Sequence, residues 1–259
     1  MIRSVKVISV SVLSALLAVS LLLLWISEHY VVPIMMYHHV TAVTPSEGNW
    51  VSPKSFEQQM AYLTQHHYKV ITLDELVSAI QKKEKLSHKT VVLTFDDGYD
   101  DNYTQAYPIL KKYQFSATIF LIANKINADG FLNLKQIEEM LTNGINFGSH
   151  TLSHPYLPSL SPPEQEKEIR ESKARIGQAL NTSIEYFCYP IGGFSDDIKR
   201  MVKEAGYKAA LTTNRGFARS NQDVYELKRI RFVNNDNSLS LGLKLSGYYN
   251  FFRKPKGPY

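Results

Sequence analysis

Cysteine is almost absent from the chain. Cys188 is the single one in 259 residues, so no intramolecular disulfide can form. An exported fold of this sequence would rest on its apolar core and on any metal it binds. Tryptophan occurs only at Trp25 and Trp50, and no histidine follows His154. Internal repeats and low-complexity tracts are missing, and nothing marks a boundary between two folded domains. No basic-aromatic pattern of the kind that binds nucleic acid is present, so nucleic acid is not an expected partner. Charge is neither scarce nor extreme. With 44% hydrophobic and 20% charged residues and a net charge of +5, the chain has globular composition, and its mild basicity suits an anionic wall or membrane surface. The length fits one domain of α/β barrel size.

Long apolar runs are confined to the N-terminus. Residues 7–26 are apolar apart from serines and are long enough to cross a bilayer. Arg3 and Lys6 flank the run, which places the N-terminus inside and everything after Ser27 outside. A cleaved signal peptide, giving a secreted protein, is the competing reading. Its apolar core is ordinarily shorter, and no small-x-small site precedes Trp25-Ile26-Ser27-Glu28. No cysteine stands directly after the run, which excludes a lipoprotein anchor. The expectation is a single-pass anchor over 1–28 and an extracytoplasmic domain over 29–259.

Within that domain, apolar β-branched runs alternate with helix signals. Strands are expected at 31–37, 68–71, 90–93, 117–122, 145–149, 184–189, 208–212 and 227–232. Helices are expected after Ser52-Pro53, after the capping box Thr72-Leu73-Asp74-Glu75, over 105–113, after Asn133, after Ser161-Pro162-Pro163-Glu164, over 195–205 and over 238–246. Residues 41–51 read as a polar loop, and the basic tail 253–257 as a frayed end. This alternation implies a parallel sheet with helices outside, and active sites of such folds gather at the strand C-termini.

Two motifs stand at those termini. Thr94-Phe95-Asp96-Asp97-Gly98 places adjacent carboxylates where a buried strand gives way to a loop. Two ionised carboxylates repel unless a cation offsets them. A metal on one would do so and leave the other as a base; the plain alternative is an Asp-Gly turn. His150-Thr151-Leu152-Ser153-His154 ends another strand. If it forms a helical turn, its i, i+4 spacing sets both rings on one face. The motif lacks the glutamate of a His-Glu-x-x-His metalloprotease, so a base must come from elsewhere, and Asp96 is available. Two histidines and one aspartate leave a coordination position open, which is the catalytic pattern for zinc.

Together these motifs resemble the polysaccharide deacetylase (NodB-homology) family of carbohydrate esterases, over roughly Pro33 to Phe232. The resemblance implies an α/β fold, an irregular (β/α) barrel with fewer than eight strands. It implies removal of acetyl from N-acetylglucosamine units of an extracellular or cell-surface polysaccharide. It also implies one divalent ion, zinc first, with cobalt or nickel fitting the same ligands. On that resemblance Asp97, His150 and His154 match the metal ligands and Asp96 the general base. The family's late Leu-x-His acid motif is absent. Tyr37-His38-His39 is similar instead to the branch acting on poly-β-1,6-N-acetylglucosamine, which makes His38 the acid. His39 points the other way along a strand.

Three departures matter. The family's Arg-x-Pro-Tyr-Gly, whose arginine orients the base, stands here as Cys188-Tyr189-Pro190-Ile191-Gly192. Arg229 and Arg231 are the candidates to replace it, and a backbone N–H near Tyr189 or Pro190 the candidate oxyanion donor. Cys188 reads as a small buried residue rather than a nucleophile. The family's tryptophan motif is missing too, leaving Trp50 as the candidate to line a sugar site. Two rival readings follow. One is the same chemistry on peptidoglycan or chito-oligosaccharide; the other is a degenerate carbohydrate-binding module that has lost turnover.

Overall fold

The computed structural model describes residues 16–21, 30–43, 49–213, 215, 221–249 and 256–258. The expected anchor over 1–28 lies outside these, apart from residues 16–21. Those form a short helical stretch with Leu16, Leu17, Val19 and Leu21 exposed. Among the described residues no helix is long and apolar enough to cross a membrane.

The domain is built on parallel strands: β1 (Ile34–Tyr37), β5 (Thr90–Phe95), β6 (Ala117–Leu121), β7 (Ile145–Ser149), β8 (Tyr186–Cys188), β9 (Ala209–Thr212), β10 (Leu227–Lys228) and β11 (Ile230–Arg231). Their order is β10-β9-β8-β7-β6-β5-β1-β11. The two ends of this order, β10 and β11, are separated in the chain by Arg229 alone. One segment therefore pairs with β9 through its first half and with β1 through its second, which curls the sheet into a near-closed barrel. Counted this way, the barrel has fewer than eight staves. Strand β4 (Lys69–Val70) pairs with the start of β5, outside the ring.

Strand alternation sorts the side chains into two layers. Met35, Leu93, Phe95, Ile119, Phe147 and Phe187 join Phe56, Met60, Ile137, Ile169, Ile176 and Ile198 from the surrounding helices in one apolar cluster. The alternate residues Ile34, Val92, Phe120, Tyr186, Cys188, Leu211 and Leu227 form a second cluster inside the barrel. Ile71, Leu73, Leu76 and Val77 join the inner cluster and stopper the end from which the strands start. The helix Leu73–Lys82 that supplies three of them begins with the capping box expected of Thr72 and Glu75. Toward the strand C-termini the same inner parity turns polar: 34, 36, 38 on β1; 92, 94, 96 on β5; 186, 188 on β8. The barrel is thus apolar at one end and reactive at the other.

Several local expectations change. The segment 41–51 is not wholly loop, because β3 (Trp50–Val51) pairs with β2 (His39–Val40). The helix expected from residue 105 starts earlier, as a π-turn at Asn102–Ala106 that runs into Tyr107–Tyr113. The described part of the C-terminal tail is packed rather than frayed: the Phe194 N–H donates to Pro258 O at 2.7 Å, and Lys256 bridges to Arg215.

Gly148 pairs with Phe120 across β6 and β7. A Cβ there would stand 2.5 Å from the Phe120 ring and 2.9 Å from Tyr186 O. Gly148→Ala should therefore cost about 1–3 kcal/mol, the usual penalty of overpacking, read as a lower urea midpoint with unchanged slope.

Candidate active site

Three strand ends converge on one open cavity of about 690 Å³, lined among others by His38, Asp96, Asp97, His150, His154 and Arg229. Asp96 continues the inner parity of β5 and is buried. Alternation alone would send Asp97 to the outer face. Its left-handed backbone, φ 73°, followed by Gly98 at φ 74°, turns it back toward the cavity. His150 follows β7, with its main-chain N–H donating to Leu121 O at 2.8 Å. His154 reaches the same point by a different route from the one expected. Residues 150–154 are not a helical turn: Thr151 and His154 are left-handed, at φ 68° and 65°, and Thr151 Oγ1 accepts the His154 N–H at 3.0 Å. The i, i+4 spacing works here through a tight loop. Strained backbone at such positions persists only where the surroundings enforce it.

Asp97 Oδ1 lies 3.6 Å from His150 Nε2 and 3.5 Å from His154 Nε2. Donors around a tetrahedral ion at about 2.1 Å stand about 3.4 Å apart, so this spacing fits a divalent cation. His150 Nδ1 donates to the Cys188 carbonyl at 2.8 Å, which fixes the tautomer and leaves the Nε2 lone pair facing Asp97. Burial outweighs the pull of Asp96 and lowers the His150 pKa to about 3, so the ring is neutral and ready to ligate. A second group, Asp96, His150 and Cys188, also brings three ligand atoms together. It is the poorer site, because a guanidinium already stands against two of its members.

That guanidinium belongs to Arg229, which is fully buried. Its Nη1 and Nη2 donate to Asp96 Oδ1 and Oδ2 at 2.6 and 2.7 Å, a two-pronged clamp. Nη1 also reaches Thr94 Oγ1, Nη2 reaches Cys188 Sγ at 3.0 Å, and Nε donates to Thr212 O. Of the two arginines singled out, Arg229 is the one that holds Asp96. Arg231, the neighbour but one, is exposed at the mouth. Burial pushes the Asp96 carboxyl up, but the charge and hydrogen bonds of Arg229 outweigh it and hold the group well below the ordinary carboxylate range. Burial likewise keeps Cys188 a neutral thiol, packed between Asp96 and Arg229.

His38 Nε2 lies 3.8 Å from Asp96 Oδ2. Burial, only partly offset by Asp96, lowers its pKa to about 4. Its carbonyl accepts from Asn102 Nδ2 at 2.8 Å. His39 turns the other way, as strand alternation implies: it bonds Asp101 Oδ2 at 2.7 Å and stacks on Tyr99. Tyr189 lines the cavity, but its own N–H is not the donor expected near it. Its N–H is committed to Leu211 O at 3.0 Å, and its hydroxyl donates to Tyr225 O. Pro190 has no N–H to offer. The first residue of that segment able to present one is Ile191, which is exposed, lines the cavity and has φ 58°. Trp50 is not among the residues lining the main cavity; it sits in β3 beside His39. Tyr99, Lys125, Arg215 and Lys256 do line it and carry no motif that marks them in sequence.

Comparison with known proteins decides the family. The family described as polysaccharide deacetylase matches residues 83–210. The Bacillus subtilis protein YxkH, named for the polysaccharide deacetylases, is 37% identical over 201 residues, 77% of this chain and 70% of its own. The chain belongs to the polysaccharide deacetylase family. A Staphylococcus aureus poly-β-1,6-N-acetyl-D-glucosamine N-deacetylase is 33% identical over 197 residues, 70% of this chain and 67% of that one. Among solved structures, the Streptococcus pyogenes deacetylase PplD, in complex with acetate, superposes with a TM-score of 0.77. It is 34% identical, covering 83% of this chain and 97% of that one. IcaB from Ammonifex degensii shares the fold, with a TM-score of 0.72 at 24% identity, covering 85% of this chain and 97% of that one.

The clamp has a pH signature. Asp96 titrates lower in the folded than in the unfolded chain, so its pairing stabilises the deacetylase above about pH 4. That contribution is lost only as pH falls through the depressed folded value. Arg229→Gln leaves a buried carboxylate without its cation, which costs about 3–5 kcal/mol at neutral pH. In the variant burial, no longer offset by Arg229, raises Asp96 above its unfolded value, so urea titrations from pH 4 to pH 8 should show the gap between the two proteins widening as pH rises. A gap that stays constant with pH would contradict the assignment.

Proposed function

We propose that this deacetylase removes acetyl from N-acetylglucosamine units of a cell-surface polysaccharide, using one divalent ion held by Asp97, His150 and His154. The observation that carries the reading is the pairing of that donor set with an Arg229-clamped carboxylate beside it. The names of the relatives support the substrate: one is a poly-β-1,6-N-acetyl-D-glucosamine deacetylase, and another holds acetate. Zinc suits the donors best, with cobalt or nickel as alternatives. The arrangement over the apolar run 7–26 is that of a single-pass anchor with the catalytic domain outside, and this part of the proposal rests on sequence alone.

A divalent ion at those donors would lower the pKa of a water and polarise the acetyl carbonyl. The remaining chemistry falls to the chain's own groups. Asp96 accepts a proton from the attacking water. Held acidic by Arg229, it is the weaker base of the Asp96–His38 pair, so passing the proton to His38 is downhill. His38 is neutral at rest and hands that proton to the departing amine as the C–N bond breaks. Acetate and a free glucosamine amine result. The lost motif arginine and the lost tryptophan motif favoured a degenerate binding module; the Arg229 clamp on Asp96 answers the first of these.

Acetate release from β-1,6-linked, β-1,4-linked and peptidoglycan substrates tests the reaction and its linkage. Asp97→Ala should lose the metal, read by elemental analysis. Asp96→Asn should keep it and lose turnover, and equal metal loss in both would sink the roles. His38→Ala should retain the metal and lower turnover by roughly 10²–10⁴-fold. A fully active His38→Ala protein would remove His38 from the mechanism.

A further inference from the structure

The floor of the cavity accounts for its own charge. Among the described residues lining it, the carboxylates are Asp96 and Asp97. Asp96 is matched by Arg229, and Asp97 stands between two histidines suited to a cation. The mouth is different. Lys125, Arg215, Arg231 and Lys256 line it, and they come from four separate parts of the chain. Lys125 follows β6, Arg215 follows β9, Arg231 ends β11, and Lys256 belongs to the C-terminal segment. Convergence from four directions makes a ring of cations rather than the solvated face of one helix.

Two of these cations rest against neutral groups. Arg215 donates to Gly257 O at 3.2 Å, and Lys125 lies over the Phe131 ring at 5.3 Å. Among the described residues, Lys125, Arg215 and Lys256 make no ion pair with a carboxylate. The fold maintains the arrangement: the Arg215–Lys256 bridge and the Phe194–Pro258 hydrogen bond tie the tail to the mouth. Fields from like charges around a concave site add and concentrate counter-ions there. A neutral polymer of N-acetylglucosamine gains nothing from such a ring, and its de-acetylated product, a polyamine, is repelled by it.

We propose that the substrate is an anionic glycan, in which the acetylated glucosamine carries or adjoins a phosphate or carboxylate that docks on Lys125, Arg215, Arg231 and Lys256. Guanidinium and ammonium groups together serve either anion, the arginines by two-pronged hydrogen bonding. The proposal rests on the deacetylase reading for its chemistry. It adds that recognition is electrostatic at the mouth, and that release is assisted when the new amine meets the same cations.

The test compares three acetylated glucosamine oligomers of equal length: neutral, phosphate-bearing, and bearing a lactyl carboxylate. The metal-loaded protein should turn over at least one anionic oligomer with roughly tenfold or more higher kcat/KM than the neutral one at about 0.01 M salt. That ratio should collapse toward one at about 1 M, where the screening length falls from about 30 to about 3 Å. In the Arg215→Gln/Lys256→Gln double variant the ratio should also fall toward one at low salt. Which anionic oligomer gains identifies the anion. Calorimetric binding of the same oligomers to Asp96→Asn reads recognition without turnover. Tighter binding of an anionic oligomer supports the ring even if acetate release fails, whereas turnover of the neutral oligomer with no anionic preference keeps the deacetylase and removes the ring. Equal binding of all three, or a ratio near one at low salt, overturns the proposal.

Discussion

A buried guanidinium on a buried carboxylate is costly unless the geometry is right, and the Arg229–Asp96 pair is where this barrel meets that condition. Both side chains are removed from water, and both carboxylate oxygens are taken by the same planar fork. The position of Arg229 in the fold explains how. It is the residue between β10 and β11, where one segment leaves β9 and joins β1. Closing the barrel and clamping the base are therefore the same structural event. A change that loosens closure would also loosen Asp96, and loss of the clamp would leave an unpaired charge in the seam.

The remainder of the site depends on where the backbone departs from strand geometry. Plain alternation delivers His38 and Asp96 to the interior. Asp97, His154 and Ile191 reach the cavity because each adopts a left-handed conformation at a strand-to-loop junction. These are unfavourable for side chains with a Cβ, and the packed barrel beneath enforces them. The clamp holds Asp96 well below the ordinary carboxylate range, and burial lowers His38 to about 4. In the proposed mechanism that ordering carries the proton outward, from water to carboxylate to imidazole to amine.

Much of this was legible in the chain. The strands, the capping boxes at Thr72, Asn133 and Ser161, and the two motifs follow from periodicity and local hydrogen-bonding rules. The pairing of Arg229 with Asp96 was only one of two candidates, because 133 residues separate the partners and no local rule spans that distance. Substitution of Cys for the motif arginine looked like a loss in sequence. In space Arg229 enters from another strand and packs against Cys188 Sγ at 3.0 Å. That the Tyr189 N–H is committed to Leu211 follows from the register of β8 on β9, a tertiary fact that no local rule supplies. For the His pair, spacing alone cannot distinguish a turn of helix from a loop with two left-handed residues. Arg215 and Lys256 at the mouth belong to segments with no periodicity to read.

The central claim is that the metal and the base occupy separate carboxylates. Anomalous diffraction at the zinc edge, on crystals grown with the ion, tests it most directly. The account predicts one peak within bonding distance of Asp97 Oδ1, His150 Nε2 and His154 Nε2, with Asp96 outside the coordination sphere and still held by Arg229. A peak bound instead by Asp96, His150 and Cys188, with Arg229 displaced, would contradict it.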